Sequence, residues 1–149
     1  SKITSLDQIA GQKVCVGTAT TYEDYLKGSL GIPADNIYTP APKGVTAVPL
    51  ETDQNCAEAI KAGRKEFSIY LTSATVIKSN IDGKIPVVAV GKPVFVENLS
   101  VAIDKKAAKD PTSFTAAVDK AIKDMHADGT MTTLAKKWFT EDLSKAPTK

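Results

Sequence analysis

One histidine, His126, and two cysteines, Cys15 and Cys56, are the only imidazole and thiol groups in the sequence. Two cysteines without close spacing exclude a zinc-ribbon site built from cysteine alone. His126 stands in a polar helical region with no second imidazole to join it, so it reads as a surface residue and not as a ligand or base. No metal or cofactor is expected. Long apolar runs are also missing. Nothing approaches the length that crosses a bilayer, and Ser1 to Ala10 lack the charged-then-apolar pattern of a signal sequence. If the protein is exported, its signal lies outside these residues. Neither sign of charge dominates, with 19 Lys+Arg against 17 Asp+Glu and a formal net charge of +2. The lysines are scattered, which argues against nucleic acid as a partner. Neither G-x-G-x-x-G nor G-x-x-x-x-G-K-[ST] occurs, so dinucleotide and P-loop sites have little support.

What is present is globular. The 149 residues are 42% hydrophobic and 24% charged, enough for one domain with a core or for one lobe of something larger. The chain is organised around Lys13-Val14-Cys15-Val16-Gly17-Thr18-Ala19-Thr20-Thr21-Tyr22-Glu23. Val14 to Val16 has the β-branched bias of a buried strand and stops at small and hydroxylated residues. Thr20-x-x-Glu23 has capping-box spacing, in which the threonine hydroxyl and the glutamate carboxylate each satisfy a backbone N–H of a first helical turn, so a helix starts at about Thr21. Strand, small-residue loop and helix N-terminus together point N–H groups and a positive dipole end at whatever lies above the strand, which suits a carboxylate. Capping boxes also begin many helices that bind nothing, and alone this motif favours that plainer reading.

Before this stretch, Ser5 to Gly11 reads as a short helical turn capped by Ser5 and closed by Gly11. After it, a Gly- and Pro-rich connection surrounds Ile37-Tyr38, which could be a short strand. Thr46 to Leu50 is a β-branched run, and Thr52-Asp53 caps a helix with Cys56, Ala59 and Ile60 on one face. Cys15 and Cys56 would pair in an oxidising compartment or remain two small buried hydrophobes, and both readings stay open. Phe67 to Leu71 alternates as a strand, and Thr72-Ser73 caps a helix through Val76-Ile77. This order predicts an α/β fold with a mostly parallel sheet flanked by helices. Ligands bind such sheets at the carboxyl ends of the strands, where Thr20-Thr21 and Leu71-Thr72 both fall. Ile85 to Val90 and Val94 to Ile103 have strand character. Two helices follow: one capped at Asp110, with Phe114, Val118, Ala121, Ile122 and Met125 at helical spacing, and one from Thr130 with Leu134, Trp138 and Phe139 on its apolar side. Aromatics at that spacing are more often core than a binding surface, and the tail from Ser144 is expected to fray.

Four stretches together resemble the periplasmic solute-binding proteins of ABC transporters, in the polar amino acid-binding family with its type II two-lobed clamshell: Ser5 to Val14, Ala19 to Glu23, Ala59 to Arg64, and Asp128-Gly129-Thr130 with Lys137-Trp138-Phe139. The resemblance covers lobe 2 over residues 1–97 and, over 98–149, a crossover strand and the C-terminal helices that return to lobe 1. The first segment of lobe 1, which in the family carries the arginine for the ligand's α-carboxylate, has no counterpart here. The resemblance implies that Ala19, Thr20 and Thr21 bind the ligand carboxylate and that Gly17 and Tyr22 flank the pocket. Where the family usually has glycine this chain has Ala19, so the turn is expected to avoid positive φ. At Leu71 the family often places an aspartate that pairs with the ligand's α-ammonium. Tyr70 and Thr72 are the nearest polar groups.

The resemblance thus implies a binding protein with no catalytic residues. It would hold an amino acid or related small carboxylate between two lobes and deliver it to the membrane permease of an ABC transporter, in the periplasm or outside the cell. A cyclic-acid dehydratase on the same fold would need a general acid or base in the cleft, and only Glu23, already used in the cap, lies near it. A ligand-sensing domain of a receptor is the other alternative. Without lobe 1 the C-terminal helices would expose an apolar face, and a homodimer through that segment is expected.

Overall fold

The computed structural model describes residues 2–106, 111–139 and 142–145, which divide into two compact units, one up to Phe95 and one from Val96. In the first unit three parallel strands, β1 (Lys13–Gly17), β2 (Thr46–Leu50) and β3 (Ile69–Tyr70), pair in the order β2-β1-β3. β1 is central, with Val14 opposite Ala47 on one side and Ile69 on the other. A central strand covered on both faces must be apolar throughout. Accordingly Val14 and Val16 pack with Ile9, Tyr25 and Leu26 on one face, while Cys15 between them turns to Cys56 and Phe67 on the other. Pro49 lies in β2, an edge strand, where its missing N–H leaves no ladder bond broken on the outer side.

Each strand runs into a helix: α1 (Thr21–Lys27) after β1, α2 (Asp53–Lys61) after β2 and α3 (Ala74–Asp82) after β3. The order of elements is the one the alternating pattern predicts. The earlier turn also forms, as a single 3-10 turn over Leu6–Ile9, with the Gln8 side chain accepting from the Thr4 N–H at 2.7 Å. Cys15 and Cys56 are joined in a disulfide across 41 residues, which decides the alternative left open above and pins the helix with Cys56, Ala59 and Ile60 to the central strand.

Strand content is lower than the sequence suggests. Ile85 to Val90 and Val94 to Ile103 form no strand, and Ile37 contributes only one antiparallel bridge, to Phe95, beside the 2.9 Å bond from the Tyr38 N–H to the Val94 carbonyl. β-Branched composition supplies a preference for extended backbone, but a strand also needs a continuous ladder partner, and among the described residues these runs have only the single bridge at Phe95. Val88 and Leu99 are accordingly 76% and 94% exposed. Phe67 to Leu71 shortens to Ile69–Tyr70 because Phe67 turns into the disulfide cluster, although the Leu71 N–H still donates to the Cys15 carbonyl at 2.9 Å.

The second unit contains α4 (Pro111–Ala127) and α5 (Thr130–Phe139), joined at Gly129, whose φ of +80° lets the chain reverse. The Asp128 carboxylate caps α5 by accepting from the Thr130 N–H at 2.8 Å, and the Thr130 hydroxyl, with that N–H, holds its pKa below the ordinary value. Asp110 lies outside the described residues, as does the tail from 146; Ser144 itself is held by Asp142 and Thr132. The aromatics of α5 depart from the core expectation. Trp138 is 69% and Phe139 47% exposed, with the Lys137 ammonium 5.1 Å above the Trp138 ring. A two-helix unit has one interface to fill, and among its described residues Ala135 alone is buried. Among the described residues no helix is long and apolar enough to cross a membrane.

Candidate functional site

All three strands of a parallel sheet point the same way, so the N-termini of the helices that follow them gather at one edge. Here Thr20, Thr52 and Ser73 cap α1, α2 and α3, and each side chain accepts from a first-turn N–H. Gly17, at the end of the central strand, lies in the middle of this edge.

Only Thr18 and Ala19 separate the strand end at Gly17 from the cap at Thr20. Thr18 is anchored sideways, its N–H (2.7 Å) and hydroxyl (2.9 Å) both donating to the Leu50 carbonyl at the end of β2. So tight a reversal is completed by Ala19 in the left-handed region, at φ +57°. This corrects the expectation that alanine keeps the turn out of positive φ. The anchors on either side over-determine the turn: the Ala19 N–H donates to Glu23 Oε2 at 2.8 Å, and the Thr20 hydroxyl donates to the Gly17 carbonyl at 2.7 Å while accepting from the Glu23 N–H at 3.3 Å. The cap therefore forms with a shift, since the glutamate reaches Ala19 and not the N-cap residue. Lys27, 2.5 Å from Glu23 Oε1, and the Ala19 N–H hold the Glu23 carboxyl below its ordinary range. Thr21, partly buried, takes part in none of these bonds.

The other expected residues are placed as follows. Tyr22 packs on the α1 face and lies 5.8 Å from the Phe95 ring. Leu71 packs into the same cluster. Tyr70 belongs to the opposite face, against the disulfide, where its hydroxyl accepts from Asn80 Nδ2 at 3.1 Å. Tyr70 is thus not brought to the edge with the threonines. Thr72 is, and its buried hydroxyl donates to Asp53 Oδ2.

Asp53 is the residue sequence reasoning passed over, reading it only as part of a helix cap. A Cβ built on Gly17 would lie 3.1 Å from Asp53 N and from Thr20 Cγ2, and 3.5 Å from Asp53 Oδ1. Glycine at 17 therefore lets the start of α2 and the Thr20 side chain pack closely against the end of β1, where any side chain would crowd them. The signal that could have found Asp53 is topological: in a parallel sheet the start of the second helix returns to the edge where the first began. Among the described residues no group of three or more His, Cys, Asp or Glu side chains could hold a metal. A separate open hollow of about 370 Å³ lies at the far end of α1, between Tyr25, Leu30, Pro40 and Lys43, and contains none of these residues.

With this geometry in hand, the comparisons with known proteins are specific. The family model of the bacterial extracellular solute-binding proteins, family 3, matches residues 14–141. The chain belongs to that family. It is also similar to the L-cystine-binding protein TcyJ of Escherichia coli, in strain K12 and in strain O6:H1, at 27% identity over 145 residues in each. That alignment takes in 96% of this chain and 47% of TcyJ, so the chain spans about half the length of the curated relatives it matches. No solved structure matches it significantly. Membership of the family and the parallel α/β unit agree, and the family is one of binding proteins.

Proposed function

We propose that this solute-binding chain is the lobe 2 wall of an amino acid receptor for an ABC uptake system, binding its ligand at the edge formed by Gly17, Ala19, Thr20 and Thr21. The carrying observation is the convergence of three capped helix N-termini around Gly17 in a chain of this family. The ligand carboxylate lies against the first turn of α1, shaped by Thr20, and the Thr21 hydroxyl, with Tyr22, Leu71 and Thr72 on the flanks. Tyr70 acts from behind, through its bond to Asn80. The opposite wall and its arginine belong to a first lobe outside these residues, and closure of the two lobes signals to the membrane permease. The name of TcyJ supports L-cystine or a similar amino acid as the ligand. The Cys15–Cys56 disulfide supports an oxidising, periplasmic or extracellular location.

Calorimetric titration with L-cystine, other polar amino acids and simple carboxylates, on this chain alone and joined to a first lobe, tests the reading. Binding of an amino acid, tighter in the joined form, is expected. Binding by neither form, or turnover of a cyclic acid by either, overturns it.

A further inference from the structure

The first unit ends on an aromatic clamp. Phe95, its last residue, sets its ring against two side chains of α1, 5.8 Å from Tyr22 and 5.3 Å from the buried Tyr25. Both separations suit tilted aromatic packing. The backbone beside that ring is fixed as well: the Val94 carbonyl accepts from the N–H groups of Tyr38 at 2.9 Å and Thr39 at 3.1 Å, and Phe95 bridges Ile37. Tyr25 closes the circuit, since its hydroxyl donates to the Thr39 carbonyl at 2.9 Å. All of these contacts lie within the first unit. Just beyond them the restraints stop. Among the described residues, 97–103 enter no backbone hydrogen bond, and Leu99 and Val101 are 94% and 59% exposed. An extended run with neither a ladder nor core contacts moves at low free energy, so the chain is held up to Phe95 and released soon after it.

We infer that the clamp of Tyr22, Phe95 and Tyr25 fixes the pivot at which the chain leaves the first unit, and that Phe95 is the positioning residue tying this pivot to α1. Packing one ring against two from a single helix makes the helix and the departing chain move as one piece. A displacement of the first turn of α1, which carries Tyr22, is therefore passed on to residue 97 and is not lost in a loop. The link goes beyond the function proposed above. It rests on that reading only for the ligand that displaces α1, and it supplies the route by which closure follows.

The test needs no ligand, so its failure and that of the binding reading are told apart. Amide relaxation of the parent chain is expected to show Val94 and Phe95 as ordered as β1, with order dropping from residue 97. In Phe95→Ala the drop is expected to move back to residue 94 or earlier. Exchange of the Tyr38 and Thr39 amides is expected to quicken roughly tenfold or more there, while Val14 to Val16 stay protected. Phe95→Tyr, which keeps the ring, is expected to match the parent. Tyr22→Ala, which leaves the backbone bonds in place, is expected to shift the amide resonances of residues 96–98 more than those of β2. Undiminished order through residue 103 in the parent, unchanged Tyr38 and Thr39 exchange in Phe95→Ala, or unmoved resonances at 96–98 in Tyr22→Ala each overturns the inference. Should Phe95→Ala lose its amide dispersion, Phe95→Leu takes its place: faster exchange at Tyr38 and Thr39 supports the clamp, and parent-like exchange overturns it.

Discussion

Ala19 is the residue at which local chemistry and local geometry disagree. An L side chain in the left-handed region is disfavoured by about 1 kcal/mol, and the turn nevertheless places Ala19 at φ +57° because Thr18 and Thr20 are each tied to fixed carbonyls. Ala19→Gly removes that strain, at the cost of greater freedom in the unfolded chain, and is expected to stabilise the protein by about 0.5–1 kcal/mol. Urea unfolding checks this, and a loss of stability would show that the turn relaxes to another conformation in solution. The two threonines were legible as site residues because a cap and a strand end are local patterns. Asp53 was not, because its place at the edge comes from a bond to a residue 19 positions away, Thr72, and from the close approach of its backbone to Gly17. Tyr70 misled for the same reason: alternation put it at the strand end but not on the face where its hydroxyl meets Asn80.

At the scale of elements, three interactions fix α1 and α2 in place, and each can be released separately. Folding lowers the Glu23 pKa from 4.5, through Lys27 and the Ala19 N–H, so its contribution is complete above that value and is lost as pH falls through the lowered one. Burial pushes Tyr25 up from 10.0 to about 12, so its contribution is complete below 10.0 and is lost as pH rises towards 12. The melting temperature of the parent is therefore expected to decline between pH 10 and 12 more steeply than that of Tyr25→Phe, which has no proton to lose. Parallel curves would contradict the burial of that ring. The disulfide closes a 41-residue span, for which chain entropy gives about 4 kcal/mol. A Cys15→Ser and Cys56→Ser double variant is expected to lose about 2–4 kcal/mol in denaturant unfolding, and a loss below about 1 kcal/mol would mean that packing around Phe67 holds α2 unaided. Helices and the first two strands were readable because capping and β-branched runs act within a few residues. The runs from Ile85 to Ile103 were not, since whether an extended segment becomes a strand depends on a partner that composition does not specify.

For the whole molecule, the two units differ in what they bury. The first has a core on both faces of its sheet, whereas α4 has no buried residue and α5 has one. Phe114, Leu134, Trp138 and Phe139 remain between 40% and 69% exposed, and an apolar face of this kind favours association. In the expected homodimer that face is the interface. Sedimentation velocity across a concentration series is expected to show dimer growing with concentration, and Trp138→Ser to suppress it; a monomer throughout would contradict it. Family membership was legible because four short motifs recur in order over most of the chain, while their joint geometry at the strand ends needed the fold. The claim on which the account turns is that ligand binds at the strand-end edge around Gly17. Hydrogen exchange of the chain with and without L-cystine reads this directly, in parent and in Thr20→Ala. The account predicts slowed exchange over residues 17–22 and 71–73 in the parent and little or none in the variant. Slowing confined to the hollow between Tyr25 and Lys43, or to α4 and α5, would contradict it.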